Sequence, residues 1–483
     1  MKKILQKISV FMLSVLLICS GPSIRAAASF EIPGMYYVQT DTGATCAVKT
    51  MDYGYAHNTY FSLRDIAMVL KGTEKAFSLE VTKNTVSMNI GNVYSPVGVE
   101  NTPWESSENP DISLRRNEFK VNGQKVYYYT LIMGLPSGHY DCFMMAADLG
   151  MILDVDITLP AAGALQIHTQ ASLSISPAAL EQDGYFYGVN GVLAGDASTG
   201  EIYYGYRSDT PYPIASTTKL MTCLLVMDAI SAGQLTLETP VTISNAAQTL
   251  GASDDGVIPL KAGEQITVQE LLLGALLPSS NECALCLAEA VAGSEDAFVQ
   301  MMNRKAAELG LSQAFFYNCH GLPSYTEAPV PAKRQNRMSA EDMFRLVSYL
   351  LKVYPQITDI TSLESATIQS LNLEVRNTNP LLRNMSEVTG LKTGTTNKAG
   401  ACLVTSLTAN DGIMEHDLVV IVLGAEDSIE RARVSGLLAE YALQTFYANP
   451  QGAETGTSGG ISGNLPTHAE AAVDWILRTA EKE

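Results

Sequence analysis

Three short motifs carry the side chains with chemistry to offer: Ser216-Thr217-Thr218-Lys219, Ser279-Ser280-Asn281 and Lys392-Thr393-Gly394. A lysine three residues after a serine lies one helical turn on along the same face, so its amine can reach the hydroxyl oxygen. Such a pair acts as nucleophile and base only when the lysine is neutral, because an ammonium cannot accept a proton. Burial and a second cation, here Lys392, would both lower its pKa. A hydroxyl at Ser279 can relay a proton between Lys219 and a leaving group, and Asn281 can hold a substrate amide and orient Lys219. Lys392 with the hydroxyls of Thr393 and Thr395 can grip a substrate carboxylate, while Gly394 leaves room for a peptide along the strand edge. The N–H groups of Ser216 and Thr395 are candidates for an oxyanion hole. Taken alone, the first motif also reads as an ordinary serine and lysine at a helix start, and the second as a helix cap.

The positions of the motifs sharpen these readings. Ser216 follows Tyr212-Pro213-Ile214-Ala215 and opens the apolar run 220–227, which predicts a helix with Ser216 in its first turn and an end near Gly233. The helix end adds a field that favours an oxyanion nearby. Ser279-Ser280-Asn281 falls between an apolar helix over 268–277 and another that begins at Glu282, hence on a loop that presents side chains. Lys392-Thr393-Gly394 precedes the apolar stretch 399–407, the turn Asn410-Asp411-Gly412 and the buried strand 418–424, which places it on a strand of an antiparallel sheet.

In this order, on helix, loop and strand, the three motifs resemble the set found in penicillin-binding proteins and related β-lactamases. Residues 185–449 are similar to the low-molecular-mass penicillin-binding proteins, the serine D-Ala-D-Ala carboxypeptidases, over nearly their whole catalytic domain. Asp196-Ala197-Ser198-Thr199-Gly200-Glu201, Asn318-Cys319-His320-Gly321-Leu322 and the stretch from Gly390 to Gly400 extend the match. The resemblance implies an α+β catalytic domain of the β-lactamase/transpeptidase-like kind: an antiparallel sheet flanked by helices, with a mostly helical part inserted between Ser216 and Lys392. It also implies a serine D-Ala-D-Ala carboxypeptidase acting on peptidoglycan stem peptides and acylated by β-lactam antibiotics. Ser216, Lys219 and Ser279 would be catalytic; Asn281, Lys392, Thr393, Gly394 and Thr395 would bind substrate. An arginine that helps the family bind the terminal carboxylate falls at Arg431, with Arg433 too close to separate from it.

Two departures stand out. Ser280 occupies a position where the family usually has glycine, and the carboxy-terminal β-domain and basic anchor helix of many members are not recognisable. The nearest rival is a serine β-lactamase, yet the Glu that would serve as its base, four residues before the Asn of a Leu-Asn pair, is replaced by Ile368 ahead of Leu371-Asn372. The rival from another class is a non-catalytic wall-binding protein.

The rest of the chain bounds these readings. Its 483 residues imply two or three folded units at roughly 100–200 residues per domain. Residues 1–28 run from Lys2-Lys3 through an apolar core to Ala26-Ala27-Ala28, a secretory signal whose apolar core is too short to span a bilayer. Export to the cell wall or the outer face of the cytoplasmic membrane follows. Without that segment the chain has 27 basic residues against 50 acidic ones, a net charge of −23 that repels nucleic acid. Its seven remaining cysteines are odd in number and scattered, so at least one is free or intermolecular. Cys283-x-x-Cys286 has no second pair and the histidines are isolated, so no metal or cofactor is expected.

Residues 29–170 contain Tyr60-Phe61-Ser62-Leu63-Arg64-Asp65-Ile66-Ala67, a strand leading into a helix, with further strands expected at 76–81 and 85–90. The stretch 119–130 followed by 142–153 repeats that plan loosely. This part resembles the stalk-like repeats named after the amino-terminal domain of copper amine oxidases and reads as a spacer or a module in contact with the cell wall, rather than one that selects substrate. Residues 170–184 are small and polar and mark a boundary; residues 450–483 read as a flexible Gly/Ser-rich linker and a short helix.

Overall fold

A computed structural model describes residues 30–448 apart from 54–57, 103–111, 116–117, 127, 129, 162, 183, 254–255 and 326–332. The expected signal (1–28) and the expected terminal linker and helix (450–483) lie outside the described residues.

Residues 30–168 build an eight-stranded sheet and a smaller four-stranded one. Inside the larger sheet, β1 (Asn58–Ser62) pairs antiparallel with β2 (Tyr140–Met145), Ser62 standing opposite Phe143. Each strand runs directly into a helix, α1 (Leu63–Val69) and α2 (Ala146–Leu153). Ser62 caps α1 by accepting from the Asp65 N–H. Within the stretch 119–130 lies a hairpin, Glu118–Val121 with Gln124–Val126, turned by Asn122-Gly123, both at positive φ. The next strand, Thr130–Gly134, joins the larger sheet against β2. The segment 170–184 carries a short helix, Pro177–Gln182.

The second sheet has five antiparallel strands: β3 (Gly191–Asp196), β4 (Glu201–Tyr206), β5 (Val388–Thr396), β6 (Gly400–Asn410) and β7 (Glu415–Ala425), in the order β4-β3-β7-β6-β5. Between β4 and β5 the chain inserts a mostly helical part that includes α3 (Lys219–Ser231), α4 (Val268–Leu276) and α5 (Asn281–Ala292). The long α6 (Ser428–Ala448) follows β7 and packs back on the sheet.

The run 418–424 is apolar throughout because both faces of the sheet are covered. Strand alternation sends Val419, Ile421 and Leu423 to the core beneath the helical part, and Val420 and Val422 to the core beneath α6. That second core is shared with the amino-terminal sheet: Leu131, Met133, Phe143 and Met145 pack in one cluster with Tyr185, Phe186 and the buried side of α6. α3 is buried along almost its whole length, which explains why its sequence shows no polar face. No helix among the described residues is long and apolar enough to cross a membrane. The seven cysteines are free thiols, six of them buried, and Cys283 and Cys286 fill the core from α5.

Candidate active site

Ser216 sits on a strained turn. Ala215 before it has φ 47°, left-handed for a residue with a Cβ, and residues Ala215–Thr218 wind as a 3₁₀ turn before α3 begins at Lys219. The sequence predicted the first turn of an α-helix. The tighter winding helps, because three residues per turn eclipse side chains at i and i+3 and stack Lys219 directly on Ser216. Lys219 Nζ lies 2.9 Å from Ser216 Oγ.

Neighbouring segments hold the turn in place. Asn336 accepts from Ile214 N through its backbone carbonyl (3.1 Å) and donates from Nδ2 to Thr218 Oγ1 (3.0 Å) and Asn318 O (2.9 Å). Gly321 and Gly394 press on the turn's backbone. At Gly321, φ +92°, an added Cβ would overlap Ala215 O; at Gly394 it would fall 2.7 Å from Ser216 N. The lack of a side chain at Gly394 therefore makes room for the nucleophile's own backbone. Asn336 had no signal in the sequence, since nothing local marks a buried asparagine that ties together segments over a hundred residues apart.

Lys219 is fully buried. Besides Ser216, its Nζ donates to Asn281 Oδ1 (2.8 Å) and to His320 O (3.0 Å). Burial pulls its pKa down to about 7, against a smaller opposing pull from nearby groups, Cys319 and Glu282 among them. Near neutral pH a large fraction of the amine is therefore unprotonated and can accept the serine proton. His320, though beside the pair, is no competing base: burial first, and then Lys219, hold its imidazole down to about 3. What reaches Lys219 is the His320 backbone carbonyl, a group with no signature in the sequence.

The second motif divides its tasks. Ser280 is the N-cap of α5, accepting from Cys283 N at 3.0 Å, so the capping reading applies to this residue. That leaves Asn281, the first residue of the helix, to accept from Lys219. Ser279, at φ 71°, is half-buried while Ser280 behind it is fully buried.

The third motif lies on β5, the edge strand of the five-stranded sheet, with Lys392 opposite Val404 and Gly394 opposite Cys402. Lys392 is buried and donates to Thr393 O (2.9 Å). Its pKa falls well below the lysine range through burial, then Lys219 and Arg431. Burial is the main depressor of both amines, and the two cations lie close enough for Lys219 to add to the shift of Lys392. Thr393 Oγ1 meets Thr378 Oγ1 at 2.5 Å, and Thr395 is exposed.

The two arginines separate cleanly. Arg431 donates from Nη1 towards Thr395 Oγ1 (3.3 Å) and Cys402 O (3.5 Å), and its buried Nε has no partner among the described residues. Arg433 turns away to Glu430 and to Asp148 of the amino-terminal part. Spacing alone could not assign them, because two residues along a helix point to nearly opposite sides.

A nucleophile beside a partly neutral amine, an edge strand packed against the nucleophile's backbone, and hydroxyls beside an arginine together suit acyl transfer from a substrate that ends in a carboxylate. Residues 190–427 match the family described as D-alanyl-D-alanine carboxypeptidase. The chain is 34% identical over 260 residues to D-alanyl-D-alanine carboxypeptidase DacF of Bacillus subtilis, covering 53% of this chain and 62% of that one. It is 33% identical over 225 residues to a D-alanyl-D-alanine endopeptidase of Pseudomonas aeruginosa, covering 45% and 66%. The chain thus spans somewhat under two thirds of the length of these relatives. Among solved structures it is similar to a peptidoglycan synthesis regulatory factor from Streptococcus pneumoniae, at 34% identity, 53% and 71% coverage and a TM-score of 0.49. It is also similar to penicillin-binding protein D2 from Listeria monocytogenes in its ampicillin-bound form, at 26% identity, 53% and 97% coverage and a TM-score of 0.44.

Proposed function

We propose that the chain is a serine-type D-Ala-D-Ala carboxypeptidase that removes the terminal D-Ala from peptidoglycan stem peptides and is acylated by penicillins. The observation that carries this reading is the buried Lys219, with Nζ 2.9 Å from Ser216 Oγ and a pKa lowered to about 7. Lys219 takes the Ser216 proton as Oγ attacks the carbonyl of the penultimate D-Ala, and the oxyanion is met by the N–H groups of Ser216 and Thr395. Lys219 then returns the proton through Ser279 to the departing amine, and D-Ala leaves. Thr393, Thr395 and Arg431 hold the terminal carboxylate within the field of Lys392, and Asn281 orients Lys219 and the substrate amide. Water then hydrolyses the ester. Residues 1–28 direct export, so the enzyme works at the wall or the outer membrane face, and residues 29–170 serve as a spacer or a wall-contact module.

The β-lactamase reading finds no support at Ile368, an apolar, fully buried residue at the spacing where the best-known class of that enzyme carries its Glu. Intact mass after mixing with a penicillin tests the proposal, wild type beside Ser216→Ala. A long-lived one-to-one adduct, lost in the variant, is expected. An adduct that disappears within seconds while the drug is consumed means a β-lactamase, and no adduct at all returns the chain to the wall-binding class.

A further inference from the structure

The strand–helix units of the amino-terminal part each place an aspartate at the same point. Asp65 is the third residue of α1 and Asp148 the third of α2. Both are fully buried, where a carboxylate is costly unless it is paired. The first copy satisfies its aspartate internally: Asp65 accepts from Lys49 Nζ (2.8 Å), Lys49 N (2.7 Å) and Asn101 N (2.7 Å). The second directs its aspartate out of its own domain. Asp148 Oδ1 accepts from Tyr185 Oη at 2.7 Å and lies 3.5 Å from Arg433 Nη1.

Arg433 is itself buried and has no other use in the site. Its guanidinium pairs with Glu430 (2.5 and 3.1 Å), stacks 3.9 Å from the Tyr185 ring and touches Met145 Sδ at 3.7 Å. Two residues earlier on the same turn of α6, Arg431 reaches the opposite way, towards Thr395. One helical turn is therefore gripped from both sides, by the amino-terminal part through Arg433 and by the substrate-facing strand through Arg431. Rotating the turn to relax one contact moves the other.

We propose that Asp148 is a positioning residue for the carboxylate end of the active site: through Arg433 it fixes the first turns of α6 and so the placement of the Arg431 guanidinium beside Thr395. The amino-terminal part is then a component of substrate recognition, not only a spacer. This inference rests on the carboxypeptidase reading and on Arg431 binding a carboxylate.

The test uses the full mature chain and two probes, benzylpenicillin and its methyl ester, with acylation rates at Ser216 followed by intact mass. Asp148→Asn is expected to slow acylation by the free acid about tenfold and by the ester less than about twofold, with the same loss of preference in Arg431→Ala. Asp65→Asn, which removes the internal counterpart, should lower thermal stability and leave the preference unchanged. If Asp148→Asn does not fold, Arg433→Lys, which keeps the charge but loses the fork and the stacking, carries the same expectation. A folded Asp148→Asn or Arg433→Lys protein with an unaltered acid-to-ester ratio overturns the proposal. Failure of the underlying reading looks different: the wild type then forms no adduct, or Arg431→Ala keeps the preference.

Discussion

Lys219→Arg is expected to slow acylation of Ser216 by about 10³-fold. Arginine keeps the positive charge and can still donate hydrogen bonds, but its pKa lies far above the working range, so it cannot take the serine proton. The wild-type rate should follow the neutral amine. With the pKa held to about 7 by burial, the neutral fraction rises as pH increases through that value, so acylation climbs between about pH 6 and 8 and levels off above. His320, held to about 3, contributes no step in that range. Penicillin acylation measured against pH in the wild type and in Lys219→Arg checks both statements. A variant acylated within about tenfold of wild type removes Lys219 as the base.

Gly321→Ala should lower acylation by about 10²-fold although residue 321 contributes no side chain to the chemistry. Its φ of +92° suits glycine, and a Cβ there would overlap the carbonyl of Ala215, the residue that already carries the strained φ of 47° before the nucleophile. The methyl must displace the Ser216 turn, and moving the nucleophile by a fraction of an ångström disturbs the 2.9 Å contact between Oγ and Lys219 Nζ. Stability should fall as well, by about 1–3 kcal/mol. Acylation rate and thermal midpoint measured on the same preparation separate the two effects. A variant that loses stability but is acylated at the wild-type rate shows that the turn is held by Asn336 and Gly394 without help from Gly321.

Much of the site was legible because acyl transfer restricts which residue types can serve. A serine three residues before a lysine, a serine two before an asparagine, and Lys392-Thr393-Gly394 name their side chains, and the apolar runs around them announce helix and strand. Local sequence was a poorer guide to winding. Ser216 lies in a 3₁₀ turn and not in an α-helix, because clamps from segments 105 and 178 residues further on, at Gly321 and Gly394, fix its backbone.

The sequence alone determined which groups are available for chemistry and in what order elements present them, since hydrophobic period and residue type are local properties. Only the tertiary structure decided how those groups behave. It lowered the Lys219 pKa by enclosing the amine in a core drawn from several segments, turned Arg431 towards Thr395 and Arg433 towards Asp148, and brought Asn336 to the turn that carries Ser216 and the His320 carbonyl to Lys219. Burial, orientation and long-range contact are properties of the packed chain, and no short stretch of residues encodes them.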